Sequence, residues 1–148
     1  MKTIIFVCHG NICRSPAAEF IFKKIIKDRN IMDKFHVFSR ALSNEESGHD
    51  IYPPMMEVLD DNHIPYDRHY AKRISKEEYD QADYIFYMDD SNKRIINYMF
   101  DDVKVIIHPI YMFTDEIKYI EDPWYTDRFN LVFHQIYKCV IDILNNIE

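Results

Sequence analysis

The stretch "VCHGNICRSP", Val7 to Pro16, joins two segments of opposite character. Before it runs TIIFV, Thr3–Val7, a short apolar run that reads as a strand buried on both faces. After it, Pro16–Asn30 reads as a helix, with Ala17, Phe20, Ile21 and Ile25 along one face and Pro16 suited to the first turn. The loop between them holds two of the three cysteines and one of the two glycines of the chain. A strand, a polar loop and a helix at the start of a chain predict a βα unit, and the rest of the sequence repeats that alternation.

Phe35–Ser39 reads as a second strand, Pro53–His63 as a helix, Tyr84–Met88 as a third strand, Ser91–Phe100 as a helix and Val103–Ile107 as a fourth strand. Ser75 with Glu78 three residues on is a capping box that opens another helix. Arg128–Asn146 is the last helix, with Phe129, Val132, Phe133, Ile136, Val140 and Leu144 at helical spacing. Strands alternating with helices predict an α/β fold, a parallel sheet with helices on both faces. Such sheets bind ligands beyond the carboxyl ends of their strands. Cys8 and Asp89 both fall at strand ends of that kind.

With 148 residues, 47% of them apolar, the chain predicts a single domain, 1–148, with a substantial core. No apolar run reaches the ~18 residues of a membrane span, and MKTIIFV is too short for a secretion signal. An odd cysteine count without an export signal predicts free thiols in a reducing, cytoplasmic setting. The net charge of −7 divides unevenly, +5 over residues 1–40 and −12 over the remainder. An acidic chain is a poor general binder of nucleic acid. Its basic first third can still favour a small anion, or simply reflect clustered surface charge.

Three chemistries compete for the loop. A closed zinc site needs two more ligands, usually as a second pair. Cys139 stands alone in an apolar helix, so the second cysteine pair is missing and the predicted metal complement is none. Cys139 reads as a small buried apolar residue. An oxyanion site fits better. Cys8, five residues, then Arg14 and Ser15 give C-x5-R-S. A loop of this length can turn successive N–H groups and a helix N-terminus onto an anion. Gly10 permits close backbone approach and Asn11 tolerates a left-handed conformation. Arg14 offers a planar fork for two phosphate oxygens. The same positive field favours Cys8 as thiolate, with Ser15 able to hydrogen-bond it. A thiolate at the base of a phosphate nest predicts attack by sulfur on phosphorus. Asp122, in EDPWYTD, is a candidate proton donor, although Asp-Pro is also a common turn. Trp124 and Tyr125 read as walls for an aromatic leaving group or as interface packing.

With these residues in view, the chain resembles the low-molecular-weight protein tyrosine phosphatases. The family pattern V-C-x-G-N-x-C-R-S-P is matched by Val7, Cys8, Gly10, Asn11, Cys13, Arg14, Ser15 and Pro16, and the distal D-P-[aromatic]-Y by Asp122, Pro123, Trp124 and Tyr125. His69 and Ala71 resemble its H-x-A-R segment, with Lys72 in place of Arg; Met88, Asp89 and Asn92 resemble M-D-x-x-N. The resemblance implies a four-stranded parallel sheet with a phosphate-binding loop after the first strand. It also implies phosphotyrosine hydrolysis without metal or other cofactor. Cys8 would be the nucleophile, Arg14 the phosphate ligand and Asp122 the general acid and base. His9, Gly10, Asn11, Ile12, Cys13, Ser15, Trp124 and Tyr125 would line the substrate site. Ser39, His69 and Asp89 would belong to a supporting network with Asn11 and Ser15, although Asp89 could instead be a strand-end cap and His69 a surface histidine. Cys8 and Cys13 would form a reversible, protective disulfide. The implied partners are a phosphotyrosine protein as substrate and inorganic phosphate or similar oxyanions as product or inhibitor, with no nucleic acid and no membrane; the oligomeric state stays open.

The chain departs from the family after the second strand. Where S-x-A-G-T and an aromatic wall are usual, it has Ser39, Arg40, Ala41, Leu42, Ser43 and then Asn44, Glu45, Glu46. Within the same fold, arsenate reductases need two further mid-chain cysteines, and none lies between Cys13 and Cys139. Arginine phosphatases carry Thr at the position of Ile12, where a branched apolar side chain suits a tyrosine phosphatase better. A non-catalytic phosphate-binding or redox-sensing module is the reading from another class; it would not need Cys8 in the nest.

Overall fold

In the computed structural model, which describes residues 1–102 and 106–148, the Thr3–Val7 run lies inside a longer strand, β1, Lys2–Cys8. Its side chains alternate between two cores, as a strand covered on both faces requires. Ile4, Phe6 and Cys8 point into one; Ile5 and Val7 point into the other. The order that follows is α1 (Arg14–Asp28), a 3-10 turn (Met32–Lys34), β2 (Phe35–Ala41), α2 (Pro53–Asp61), α3 (Lys76–Gln81), β3 (Tyr84–Tyr87), α4 (Asp90–Met99), β4 (Ile107–Pro109), α5 (Pro123–Thr126) and α6 (Phe129–Ile147).

The four strands are parallel in the order β2-β1-β3-β4. Ile4 pairs with Val37 on one side and with Tyr84 on the other. The chain therefore leaves β1 first toward β2 and later toward β3, and the crevice for a ligand opens where these directions part. Residues of α1, α2 and α6 fill the core on one face. Tyr79 of α3 and Ile96 of α4 fill the smaller core on the other. The capping box forms as expected: Glu78 N–H donates to Ser75 Oγ and Ser75 N–H to Glu78 Oε1, both at 3.1 Å. No helix of the described residues is long and apolar enough to cross a membrane.

Two element boundaries differ from expectation in ways that matter. The first helix begins at Arg14, two residues before Pro16, so Arg14 and Ser15 sit in its first turn. Pro16 still lies where a missing N–H costs nothing. The fourth strand is Ile107–Pro109, later than the expected Val103–Ile107, most of which lies outside the described residues. The apolar residues of that run pulled the expectation forward. Pro109 is tolerated because β4 is an edge strand with one side unpaired.

Candidate active site

Cys8 ends β1 and α1 starts at Arg14, leaving His9–Cys13 as a five-residue loop at the carboxyl edge of the sheet. Asn11 makes the turn possible with φ 61°, a left-handed conformation that Asn adopts at low cost. Gly10 sits close to Glu46: a Cβ there would lie 3.3 Å from its Cγ, so the Glu46 side chain would have to shift by a few tenths of an ångström. Cys13, at the N-cap of α1, makes no side-chain capping hydrogen bond. The N–H groups of the first turn are thus left to the cleft, together with the positive end of the helix.

Cys8, His9, Gly10, Asn11, Ile12, Cys13, Arg14, Asp122, Trp124 and Tyr125 line one cleft of about 180 Å³, with Glu45 and Glu46. A cavity of roughly 150 Å³ accepts a benzene-sized ring, so the cleft has room for an aryl group. Cys8 is 3% exposed at its base. Its sulfur lies 3.0 Å from Ser15 Oγ and accepts the Asn11 N–H at 3.3 Å. Ser15 Oγ itself accepts from Asn11 Nδ2 at 2.8 Å, which frees its one proton to point at the sulfur. The Ser15 hydroxyl and the Asn11 N–H thus both direct hydrogens at the sulfur.

The buried residues behind the loop satisfy one another. Asn11 Nδ2 also donates to Ser39 Oγ at 3.0 Å, and Asn11 Oδ1 accepts the Lys72 N–H at 3.2 Å. The Ser39 hydroxyl donates a hydrogen bond to Glu19 Oε1 at 2.7 Å. His69 holds the backbone carbonyl of Asn11 at 2.7 Å; a carbonyl only accepts, so Nε2 carries the hydrogen. Burial holds the His69 imidazole below its ordinary 6.5, against the opposing effect of the Asn11 bond and the Glu19 and Asp50 carboxylates. Ser39 and His69 thus both bond to Asn11, one to its amide and one to its carbonyl. Glu19 was not expected: it is 7% exposed, and its second oxygen takes Lys23 Nζ at 2.6 Å. The available signal was its spacing, four residues after Ser15 on the same helix face.

Arg14 reaches forward under the cleft and is 2% exposed. Its guanidinium donates to Asp89 Oδ2 at 2.7 Å and to the Ile120 carbonyl at 2.8 Å. Its other nitrogen is 3.6 Å from Asp122 Oδ2. Burial alone would push this group down, but Cys8, Asp122 and Asp89 outweigh it and hold Arg14 above its ordinary value. Asp89 does both of the things considered for it: Oδ1 caps α4 through the Asn92 N–H at 2.8 Å while Oδ2 anchors Arg14. Asp122 is the N-cap of α5, its Oδ1 accepting the Trp124 N–H at 3.0 Å. Burial drives the Cys13 thiol far above its usual range, helped by Cys8, Asp122 and Glu46 and opposed by Arg14. Cys8, Cys13 and Cys139 are all free.

The cleft is lined by residues of unlike character. Trp124, half exposed, and Tyr125, 84% exposed, are the aromatic ones. The other lining residues include Glu45, paired with His9 at 3.0 Å, and Glu46, paired with His49 at 2.6 Å. Among the described residues, no group of three or more His, Cys, Asp or Glu is placed to hold a metal ion.

A thiol set in an oxyanion loop at the switch point of a four-stranded parallel sheet is what the fold and the site define. The sequence model described as low molecular weight phosphotyrosine protein phosphatase matches residues 3–148. The protein of that name from Homo sapiens is 36% identical over 144 residues, covering 93% of this chain and 90% of its own. The crystal structure of the low molecular weight protein tyrosine phosphatase from Streptococcus pyogenes covers 100% of this chain and 94% of its own at 33% identity, with a TM-score of 0.90. A Drosophila arginine phosphatase matches at 28% identity with a TM-score of 0.87, covering 100% of this chain and 98% of that one. The chain belongs to the low molecular weight phosphotyrosine protein phosphatase family.

Proposed function

We propose that residues 1–148 act as one catalytic domain, a cytoplasmic protein tyrosine phosphatase working without metal through a phosphocysteine on Cys8. The observation that carries the reading is the convergence on one cleft of the Cys8 sulfur, the Arg14 guanidinium and the Asp122 carboxylate. The thiolate attacks phosphorus; an S–P bond forms as the P–O bond to tyrosine breaks. Asp122 protonates the departing phenolate. Its Oδ1 is engaged by the Trp124 N–H, which leaves Oδ2 to carry the proton. Asp122 then takes a proton from water, whose oxygen attacks phosphorus and returns Cys8 as thiolate with inorganic phosphate as product. Arg14 and the loop N–H groups stabilise the equatorial oxygens as charge spreads over them. Ser15 stabilises the sulfur as it leaves.

Trp124 and Tyr125 on one wall and Ile12 in the floor favour an aryl phosphate over a short alkyl one. The similarity to an arginine phosphatase keeps phosphoarginine as a second substrate to be tested. Turnover of phosphotyrosine, phosphoserine and phosphoarginine peptides should be compared in parallel with wild type and Cys8→Ser. Phosphotyrosine is expected to lead and Cys8→Ser to abolish turnover. Substantial activity in a clean Cys8→Ser preparation overturns the nucleophile, and a preference for phosphoarginine overturns the substrate.

A further inference from the structure

Tyr52 stands at the N-cap of α2, directly before Pro53, and makes no side-chain capping hydrogen bond. That position normally takes a short polar residue whose oxygen accepts a first-turn N–H. Here the ring is used elsewhere. Its centroid lies 4.8 Å from that of Trp124 and 5.9 Å from that of Phe129, the first residue of α6. The Tyr52 N–H donates to the Ile12 carbonyl of the phosphate-binding loop at 2.9 Å. One residue therefore touches the loop that carries the nucleophile and the segment that carries the acid.

The acid segment needs such a contact. α5 is four residues long, and Trp124 is 51% exposed. A single turn of helix is not stable by itself. Asp122 Oδ1 is held by the Trp124 N–H, so displacement of Trp124 displaces the carboxylate. Tyr52 is not among the residues that line the cleft. Its ring reaches the acid segment through Trp124, while its contact with the loop is by the backbone N–H, which a substitution keeps.

We infer that Tyr52 is a positioning residue for the general acid, holding Trp124, and through it Asp122, in register with the phosphate-binding loop. The inference rests on the proposed acid role of Asp122. The capping position has been given to a ring that serves the neighbouring segment.

The test is a leaving-group series, aryl phosphates from p-nitrophenyl to phenyl, assayed as kcat/KM, which reports the step in which the P–O bond breaks. Tyr52→Phe keeps the ring and is expected to match wild type. Tyr52→Asn removes the ring while supplying a good N-cap. It is expected to lose about tenfold on phenyl phosphate, a fraction of the ~10²–10⁴ that a whole general acid supplies. The loss on p-nitrophenyl phosphate should be under about threefold, because that leaving group needs little protonation. Inhibition by inorganic phosphate should be unchanged, since the nest is intact. A merely structural role would instead weaken phosphate binding and reduce all substrates alike, and that pattern overturns the inference. If the asparagine variant does not fold, Tyr52→Leu keeps apolar bulk against Phe129 and is read in the same way. Asp122→Ala in the same series separates the two readings. If Asp122→Ala steepens the leaving-group dependence and the Tyr52 variants do not, the Tyr52 inference fails alone. If Asp122→Ala leaves the dependence unchanged, the acid assignment fails and takes the inference with it.

Discussion

At φ 61°, Asn11 turns the loop, and its one amide group makes three hydrogen bonds, buried ones to Ser15 and Ser39 and a partly buried one to the Lys72 backbone. Shape and bonding can be separated by substitution. Asn11→Ala forces a Cβ-bearing residue without polar compensation into the left-handed region, at about 1–2 kcal/mol. It also strips partners from buried groups, at roughly 1–3 kcal/mol. Asn11→Gly loses the bonds but keeps the turn. Denaturant melts are expected to show Asn11→Ala less stable by about 2–4 kcal/mol and Asn11→Gly by distinctly less. Equal losses would mean that the left-handed turn carries no cost here. The identity of Asn11 was legible in the sequence because a left-handed position and an amide are both expected of Asn in such a loop. Glu19 was not legible, because an acidic residue on a helix normally faces water. Only the structure shows the chain of hydroxyls that ends on it.

The elements hold the site by their ends. β1 delivers Cys8, the first turn of α1 delivers Arg14, and the caps of α4 and α5 are Asp89 and Asp122. Hydrophobic periodicity located these elements well, since one face of each strand and helix must be apolar. It placed ends poorly where the end carries the chemistry. Arg14 and Ser15 read as loop, yet they begin α1 because a helix start with free N–H groups is what an anion requires. Tyr52 gave no signal, since an aromatic residue before Pro53 is a poor cap and its ring partners are remote in sequence.

The segment after β2 supplies acidic residues to the cleft, Glu45 and Glu46, in addition to the aromatic pair from α5. Exposed ion pairs are worth about 0.2–1 kcal/mol each. Phosphotyrosine peptides flanked by Lys or Arg are therefore expected to exceed acidic ones in kcat/KM by roughly two- to fivefold per contact at low ionic strength. Added salt and Glu45→Gln with Glu46→Gln should both narrow that ratio. A ratio insensitive to salt and to both substitutions would remove these glutamates from any part in selection.

At the scale of the whole molecule, the buried network makes stability depend on pH. His69 is held below its ordinary 6.5, so once pH falls past that value the unfolded chain binds a proton that the folded chain resists. The stabilisation is complete above about pH 6.5 and is lost as pH falls toward the lower folded value. Asp50 adds a second loss further down. Its carboxyl is held low despite partial burial, by the His69 and Ile51 N–H groups and by Arg68, so protonating it costs folding energy. Thermal melts from about pH 8 to about pH 5 should show Tm falling first near pH 6.5. His69→Gln should flatten that first limb; an unchanged limb would place the titration elsewhere.

The sheet order has a consequence for how the site comes into being. β1, α1 and β2 end at Ala41, and within them lie Cys8, Asn11, Arg14, Ser15, Glu19 and Ser39. Asp89, the Ile120 carbonyl and Asp122 belong to the second half of the chain and meet Arg14 only after β3 has joined the far side of β1. Closing β1 onto β3 rather than β2 spans about 80 residues instead of about 33, an entropic difference of only about 0.8 kcal/mol. Translation, not entropy, favours that order: a ribosome completes the residues proposed to grip an oxyanion long before it reaches the one proposed to protonate a leaving group. The two halves of the proposed reaction lie in two separate lengths of the chain, and the sheet joins them at β1, which pairs with both β2 and β3.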